Sequence, residues 1–167
     1  MSEWKVRRAD EFDADRLREI RLLALQSEPD AYGSTYEESV RFPQQQWTTM
    51  AQEWNYFLAL RNDEVLGMAS GGLNPSFPDT RWLYGMFVHE RFRGTGVAQT
   101  LVRTVADWAR GEGVHTLGLH VTTTVLRARA FYEKVGFVAS GEVMAMDRDH
   151  HLKLQVMTTN LDANEWI

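Results

Sequence analysis

The stretch from residue 82 to residue 111 constrains this chain more than any other. It opens with Trp82-Leu83-Tyr84-Gly85-Met86-Phe87-Val88, an apolar and aromatic run that reads as a buried strand. It closes with a helical pattern in which Val97, Leu101, Val105 and Trp108 share one face, flanked by Ala98, Val102 and Ala109. Between the two lies a turn holding Arg91, Arg93, Gly94 and Gly96.

A strand that runs through a glycine turn into a helix N-terminus is suited to holding an anion. The first helical turn leaves backbone N–H groups without intrahelical partners, and its dipole favours negative charge. Glycine lets a ligand approach the backbone, and arginine adds charge. A tight turn with solvated arginines is the plain alternative; the strand–turn–helix context favours a phosphate cradle. The spacing rejects two common phosphate loops. No lysine follows Gly94 or Gly96, as a Walker-type loop requires. Three residues beyond Gly96 stands Gln99 rather than the third glycine of a dinucleotide fingerprint.

The segment Arg93-Gly94-Thr95-Gly96-Val97-Ala98 resembles the Gln/Arg-x-x-Gly-x-Gly/Ala motif of the GCN5-related N-acetyltransferases. Downstream, Ala128-Arg129-Ala130-Phe131-Tyr132-Glu133-Lys134-Val135-Gly136-Phe137 resembles the family's Ala-x-x-x-Tyr-x-x-x-Gly-Phe segment. The two motifs occur in order with a strand between them, and the match is strongest over the second half of the chain. The resemblance implies that the backbone of Met86, Phe87 and Val88 meets the pantetheine arm of acetyl-coenzyme A. It also implies that Arg93, Gly94, Thr95, Gly96, Val97, Ala98 and Gln99 hold the pyrophosphate. Two positions depart from the family pattern. Val125 stands where an asparagine often contacts the coenzyme, with Thr123 or Thr124 as substitutes for its hydrogen bond, and Glu90 stands where proline is frequent.

The chain has 167 residues, enough for one domain with a real core, so a single domain over residues 1–167 is expected. A net charge of -5 argues against a general nucleic-acid footprint. With no cysteine, disulfides, thiolate metal sites and a cysteine acyl carrier are excluded, so acyl transfer would run directly from donor to acceptor or through another nucleophile. The histidines show no spacing that suggests a metal site. No apolar run approaches the ~20 residues that span a bilayer. Met1-Ser2-Glu3-Trp4-Lys5 lacks a signal-peptide pattern, so a cytoplasmic location is expected, without membrane partners. The resemblance allows a homodimer.

Along the chain, strands are expected at residues 4–8, 55–61, 65–73, 82–88, 114–122, 137–146 and 152–161. Helices are expected at about 14–27, capped by Asp10 or Asp13, at 36–53 with a break near Pro43, at 97–111, and at 125–135 with Thr124 as cap. Residues 147–151, with His150 and His151, read as a surface hairpin loop. The order predicts an α/β protein of the α+β kind: a mixed, mostly antiparallel sheet of about seven strands with helices on both faces. The resemblance adds a splayed acetyl-CoA cleft between the strands near Val88 and Thr122.

Moving an acetyl group from a thioester to an amine needs a held donor, a proton acceptor for the amine, donors for the oxyanion and a proton for the thiolate. By periodicity alone Tyr132 is a core aromatic; the resemblance assigns it the acid facing the sulfur, a task for which a phenol of pKa ~10 is suited. His120 lies on the polar face of its strand, at a position where some family members carry a basic glutamate. An imidazole of pKa ~6.5 fits that role, and a structural histidine is the alternative. Tyr84 and Glu38 are weaker candidates for the base. A backbone N–H of Phe87 or Val88 is expected to polarise the thioester carbonyl. The acceptor is expected among the first helices and the loops at 30–35 and 74–79, which carry Tyr32, Tyr36, Trp47, Trp54 and Phe77 and the acids Glu28, Asp30, Glu37 and Glu38. These readings converge on an acetyl-CoA-dependent N-acetyltransferase acting on a primary amine. A non-catalytic coenzyme A-binding sensor and an unrelated phosphate-ester binding module are the alternatives.

Overall fold

A computed structural model describes residues 3–162. Seven strands form one sheet: β1 (Lys5–Arg8), β2 (Tyr56–Arg61), β3 (Glu64–Leu73), β4 (Thr80–Val88), β5 (Thr116–Thr122), β6 (Val138–Met146) and β7 (Asp149–Asn160). Their order across the sheet is β1-β2-β3-β4-β5-β7-β6. Every neighbouring pair is antiparallel except β4 and β5, which run parallel.

Five helices cover the sheet: α1 (Ala14–Ser27), α2 (Tyr36–Ser39), α3 (Gln44–Glu53), α4 (Val97–Gly111) and α5 (Leu126–Lys134). Two cores result, one on each face. Leu17, Ile20, Leu25, Trp47 and Met50 of α1 and α3 pack with Leu58 and Met68 of the sheet. Val97, Leu101, Val102 and Val105 of α4 pack with Leu66, Leu117, Leu119 and Met157 on the opposite face. Each fully buried aliphatic side chain of this kind contributes roughly 1.5–3 kcal/mol.

The helix α4 sits unusually close to β3. The ring of Trp108 lies 2.4 Å from the point that a Cβ on Gly71 would occupy. Gly71→Ala therefore forces the ring or the strand aside. We expect it to cost about 3 kcal/mol, the upper part of the range for overpacking. Urea unfolding should show a lower midpoint with an unchanged slope.

The sheet opens in its middle. Strands β4 and β5 pair only from Thr80 to Trp82 against Thr116 to Gly118. Beyond Trp82 they separate, and nothing in the sheet fills the gap. On its other side β4 carries a bulge: Met68 pairs with Phe87 and Ser70 with Tyr84, so Gly85 and Met86 both lie opposite Ala69. Gly85 takes a φ of +59°, a left-handed conformation that glycine adopts without strain.

Several local expectations are corrected. Asp10 caps a short 3-10 turn (Glu11–Asp13) by accepting from the Phe12 N–H, and Asp13 closes a capping box with it. No side chain caps α5, whose cap position is Val125 rather than Thr124. The final hairpin is tighter than a five-residue loop: Asp147 and Arg148 form the turn, and His150 and His151 are exposed residues of β7. Trp47 belongs to the core, fully buried and tilted against Phe42 at 5.6 Å, and does not line the cleft.

Candidate functional site

The opening between β4 and β5 holds two cavities that meet end to end. One, of about 470 Å³, is bounded by Met86, Phe87 and Val88 of β4, by the turn at Arg93 and Gly94, and by α5. The other, of about 410 Å³, is bounded by the β4 bulge, by Leu119 to Thr122 of β5 and by the β6–β7 hairpin. Glu28, Met86, Ala128 and Tyr132 line both.

The first cavity ends at the glycine turn. Gly94 and Gly96 have φ of +77° and +90°, and a Cβ at either would meet no atom within 4 Å. The glycines are therefore required by backbone conformation, and the space beside them is open. Gly96 is the cap position of α4, and no side chain caps that helix end. Ala98 and Gln99 also line the cavity. Thr95 and Val97 do not: Val97 is fully buried in the core, and the Thr95 hydroxyl donates to the Phe92 carbonyl.

The charges near the turn are arranged by contacts that span the chain. Arg93 donates to Glu28 Oε1 at 3.3 Å, and Arg127 of α5 donates to the same oxygen. Arg127 and Lys134 line this cavity without any signal in the sequence, and Glu28, expected near the acceptor, sits between the two arginines instead. Arg91, expected to add charge to the cradle, turns away instead. It donates to Glu64 Oε1 at 2.6 Å and lies over the Phe92 ring. A phosphate ester entering beside Gly94 would meet two guanidinium groups already held together by one carboxylate, an arrangement suited to bidentate recognition.

The second cavity contains the titratable groups. Tyr132 is almost completely buried, with edge contacts to Phe131 at 5.4 Å and Phe137 at 5.8 Å. Burial, reinforced by the Glu28 carboxylate, pushes its phenol far above the ordinary range, so the hydroxyl keeps its proton. His120 stacks on Trp82 with centroids 4.7 Å apart and planes 16° from parallel, and Phe77 meets the same indole edge-on at 5.6 Å. The half-buried imidazole has its pKa lowered by desolvation, which the Glu142 carboxylate opposes. Tyr84 is partly exposed along the wall, and burial raises its pKa. Glu38 lies on α2 and Tyr36 beside it; neither lines either cavity.

The loop after α1 forms the roof. Tyr32 donates its hydroxyl to the Met86 carbonyl at 2.8 Å, which ties the loop to the bulge. The Thr122 hydroxyl donates to the Asp30 carbonyl at 2.7 Å, and Arg148 donates to the carbonyls of Tyr32 and Pro29. Strand β5 and the terminal hairpin thus hold the loop over the cavity. At Val125 the structure offers no side-chain donor, while the Thr123 backbone N–H is engaged by the Lys153 carbonyl at 2.9 Å.

Among the described residues no cluster of three metal-ligating side chains occurs, and no helix is long and apolar enough to cross a membrane.

Residues 17–137 match the acetyltransferase (GNAT) family. N-acetyltransferase 8 of Homo sapiens is 34% identical over 91 residues, which cover 52% of this chain and 40% of that protein. Uncharacterized N-acetyltransferase YycN of Bacillus subtilis (strain 168) is 29% identical over 89 residues, covering 53% of this chain and 57% of that protein. The chain thus spans about half the length, or less, of these curated relatives. In fold it is similar to yncA of Salmonella typhimurium, solved with its cofactor acetyl-CoA, with a TM-score of 0.78 at 20% identity over 98% of this chain and 97% of that one. The N-acetyltransferase from Staphylococcus aureus Mu50 gives a TM-score of 0.75 at 20% identity over 96% and 99%.

Proposed function

The chain belongs to the acetyltransferase (GNAT) family, and on that premise we propose that it transfers the acetyl group of acetyl-CoA directly to a primary amine. The observation that carries this reading is the pair of cavities meeting at Tyr132, one ending at an uncapped helix and glycine turn, the other holding a histidine with a lowered pKa.

In this reading Arg93, Arg127 and the backbone of the turn at 94–99 bind the phosphates, and Met86, Phe87 and Val88 bind the pantetheine arm. The room at Gly94 and Gly96 and the absence of a capping side chain fit such a ligand. His120 accepts the proton that the acceptor amine loses. The amine nitrogen bonds to the acetyl carbon, and a backbone N–H of Phe87 or Val88 stabilises the developing oxyanion. As the carbon–sulfur bond breaks, the sulfur takes its proton from Tyr132, which recovers one from solvent. The chain carries no cysteine, which supports direct transfer over a thiol-bound acyl enzyme.

The test is release of free thiol from acetyl-CoA across a panel of primary amines. Its pH dependence is a further prediction. His120 works as a base only when neutral, and its pKa is shifted below the ordinary 6.5. Turnover should therefore rise with pH along a limb lying below 6.5 and stay level through neutrality. His120→Gln should remove that limb and lower turnover about 100-fold. An unchanged profile in the variant would remove His120 from the reaction.

A further inference from the structure

We infer that the acceptor carries a carboxylate as well as its amine: the site is built for a free amino acid with an apolar side chain. The inference rests on the acetyl-transfer reading above and concerns the acceptor end of the same cleft.

A third cavity, of about 490 Å³, adjoins the one containing His120 and shares Tyr32, Gly33, Tyr84 and Gly85 with it. Arg21 of α1 lies in its wall. The guanidinium donates to the Tyr56 hydroxyl at 3.1 Å through Nη1 and to the Ser34 hydroxyl at 3.1 Å through Nη2. Its Nε is buried and has no hydrogen-bond partner among the described residues. Among the described residues no carboxylate forms an ion pair with it. A buried guanidinium N–H without a partner is costly, and the cost is offset when an anion arrives. The location is specific. Arg21 Nη1 is 3.7 Å from the point where a Cβ on Gly85 would sit, beside the bulge that faces the reacting end of the cleft.

The rest of the site matches the other parts of such a molecule. Asp147 lines the neighbouring cavity and favours an ammonium there. Trp54, Leu73 and Tyr84, which are 50%, 60% and 40% exposed, line the cavity around Arg21. Large apolar groups left in water at the wall of a pocket suit an aliphatic or aromatic side chain. A plain amine would leave Arg21 unanswered.

The experiment compares L-phenylalanine and L-leucine with phenethylamine, isopentylamine and L-phenylalanine amide in the thiol-release assay. It uses the full chain and acetyl-CoA, with coenzyme binding measured separately by calorimetry. Charge-assisted hydrogen bonds of this kind correspond to about 10- to 100-fold, so the wild type should favour the free amino acids in kcat/KM by at least about tenfold. Arg21→Met should raise KM for the amino acids and leave the decarboxylated amines and acetyl-CoA binding unchanged. Arg21→Lys, which keeps the charge, should recover part of the preference. Amines used as well as the amino acids, or equal losses on both in Arg21→Met, would overturn the inference. So would coenzyme binding with no thiol release on either amino acid, while leaving the coenzyme reading intact. Failure to bind acetyl-CoA would instead overturn the acetyltransferase reading beneath it. Should Arg21→Met fail to fold, because it also releases Tyr56 and Ser34, the wild-type comparison decides alone.

Discussion

Tyr132→Phe should lower turnover about 100-fold at neutral pH while leaving the dissociation constant for acetyl-CoA unchanged within about twofold, the pattern of a lost general acid. The substitution removes one oxygen and keeps the ring. That ring provides the contacts to Phe131 and Phe137, so packing and the melting midpoint should stay close to wild type. Tyr132 lines both cavities. Because burial and Glu28 hold its pKa far above the usual range, it remains a proton donor across the whole pH interval in which His120 is neutral. Two groups with opposed shifts in one cleft give separate acid and base roles at one pH. The check is steady-state kinetics beside calorimetry. A variant within twofold of wild-type turnover, or one that has lost coenzyme binding, would contradict the role.

Gly96→Val should weaken acetyl-CoA binding about 100-fold. A β-branched residue at a φ of +90° is strained by about 1–3 kcal/mol. Its side chain would also stand in the open space beside the helix end, where the phosphates are proposed to lie. The effect on binding must be separated from the effect on the fold. Gly113 provides the control: its φ is +80°, a Cβ there would also meet nothing within 4 Å, and it lies beyond the far end of α4. Gly113→Val should cost similar stability and leave coenzyme affinity unchanged. Equal affinity losses in the two variants would mean that strain, not the cradle, is being measured.

The sequence carried the middle of this structure well, for reasons that are local. An apolar run flanked by a glycine turn and an amphipathic helix has few ways to fold, and residues 82–111 form β4, a turn and α4 as the periodicity requires. The antiparallel surroundings followed from short alternating strands. What stayed hidden was set by contacts between distant segments. Glu28 meets Arg127 across 99 positions and Arg93 across 65, and no spacing rule relates such residues. Arg91 and Arg93 look alike in the sequence; only the fold turns one toward Glu64 and the other toward Glu28. The aromatics divided in the same way. Trp47 fills the core under α1, Tyr32 ties the roof to the bulge, and Trp54 lines the third cavity, although all three had the same reading from residue type. The end of α5 near Val125 was misjudged because capping depends on where a hydroxyl points. Thr124 is the cap that residue type suggests, yet Val125 takes the cap position and no side-chain hydrogen bond closes it.

Calorimetric titration with acetyl-CoA, using coenzyme A and ATP as comparators, tests the central claim most directly. The account predicts that both coenzymes bind and that ATP, which lacks the pantetheine arm, binds far more weakly. No binding of acetyl-CoA, or ATP binding of equal strength, would contradict the assignment of the cleft between β4 and β5 to an acetyl donor.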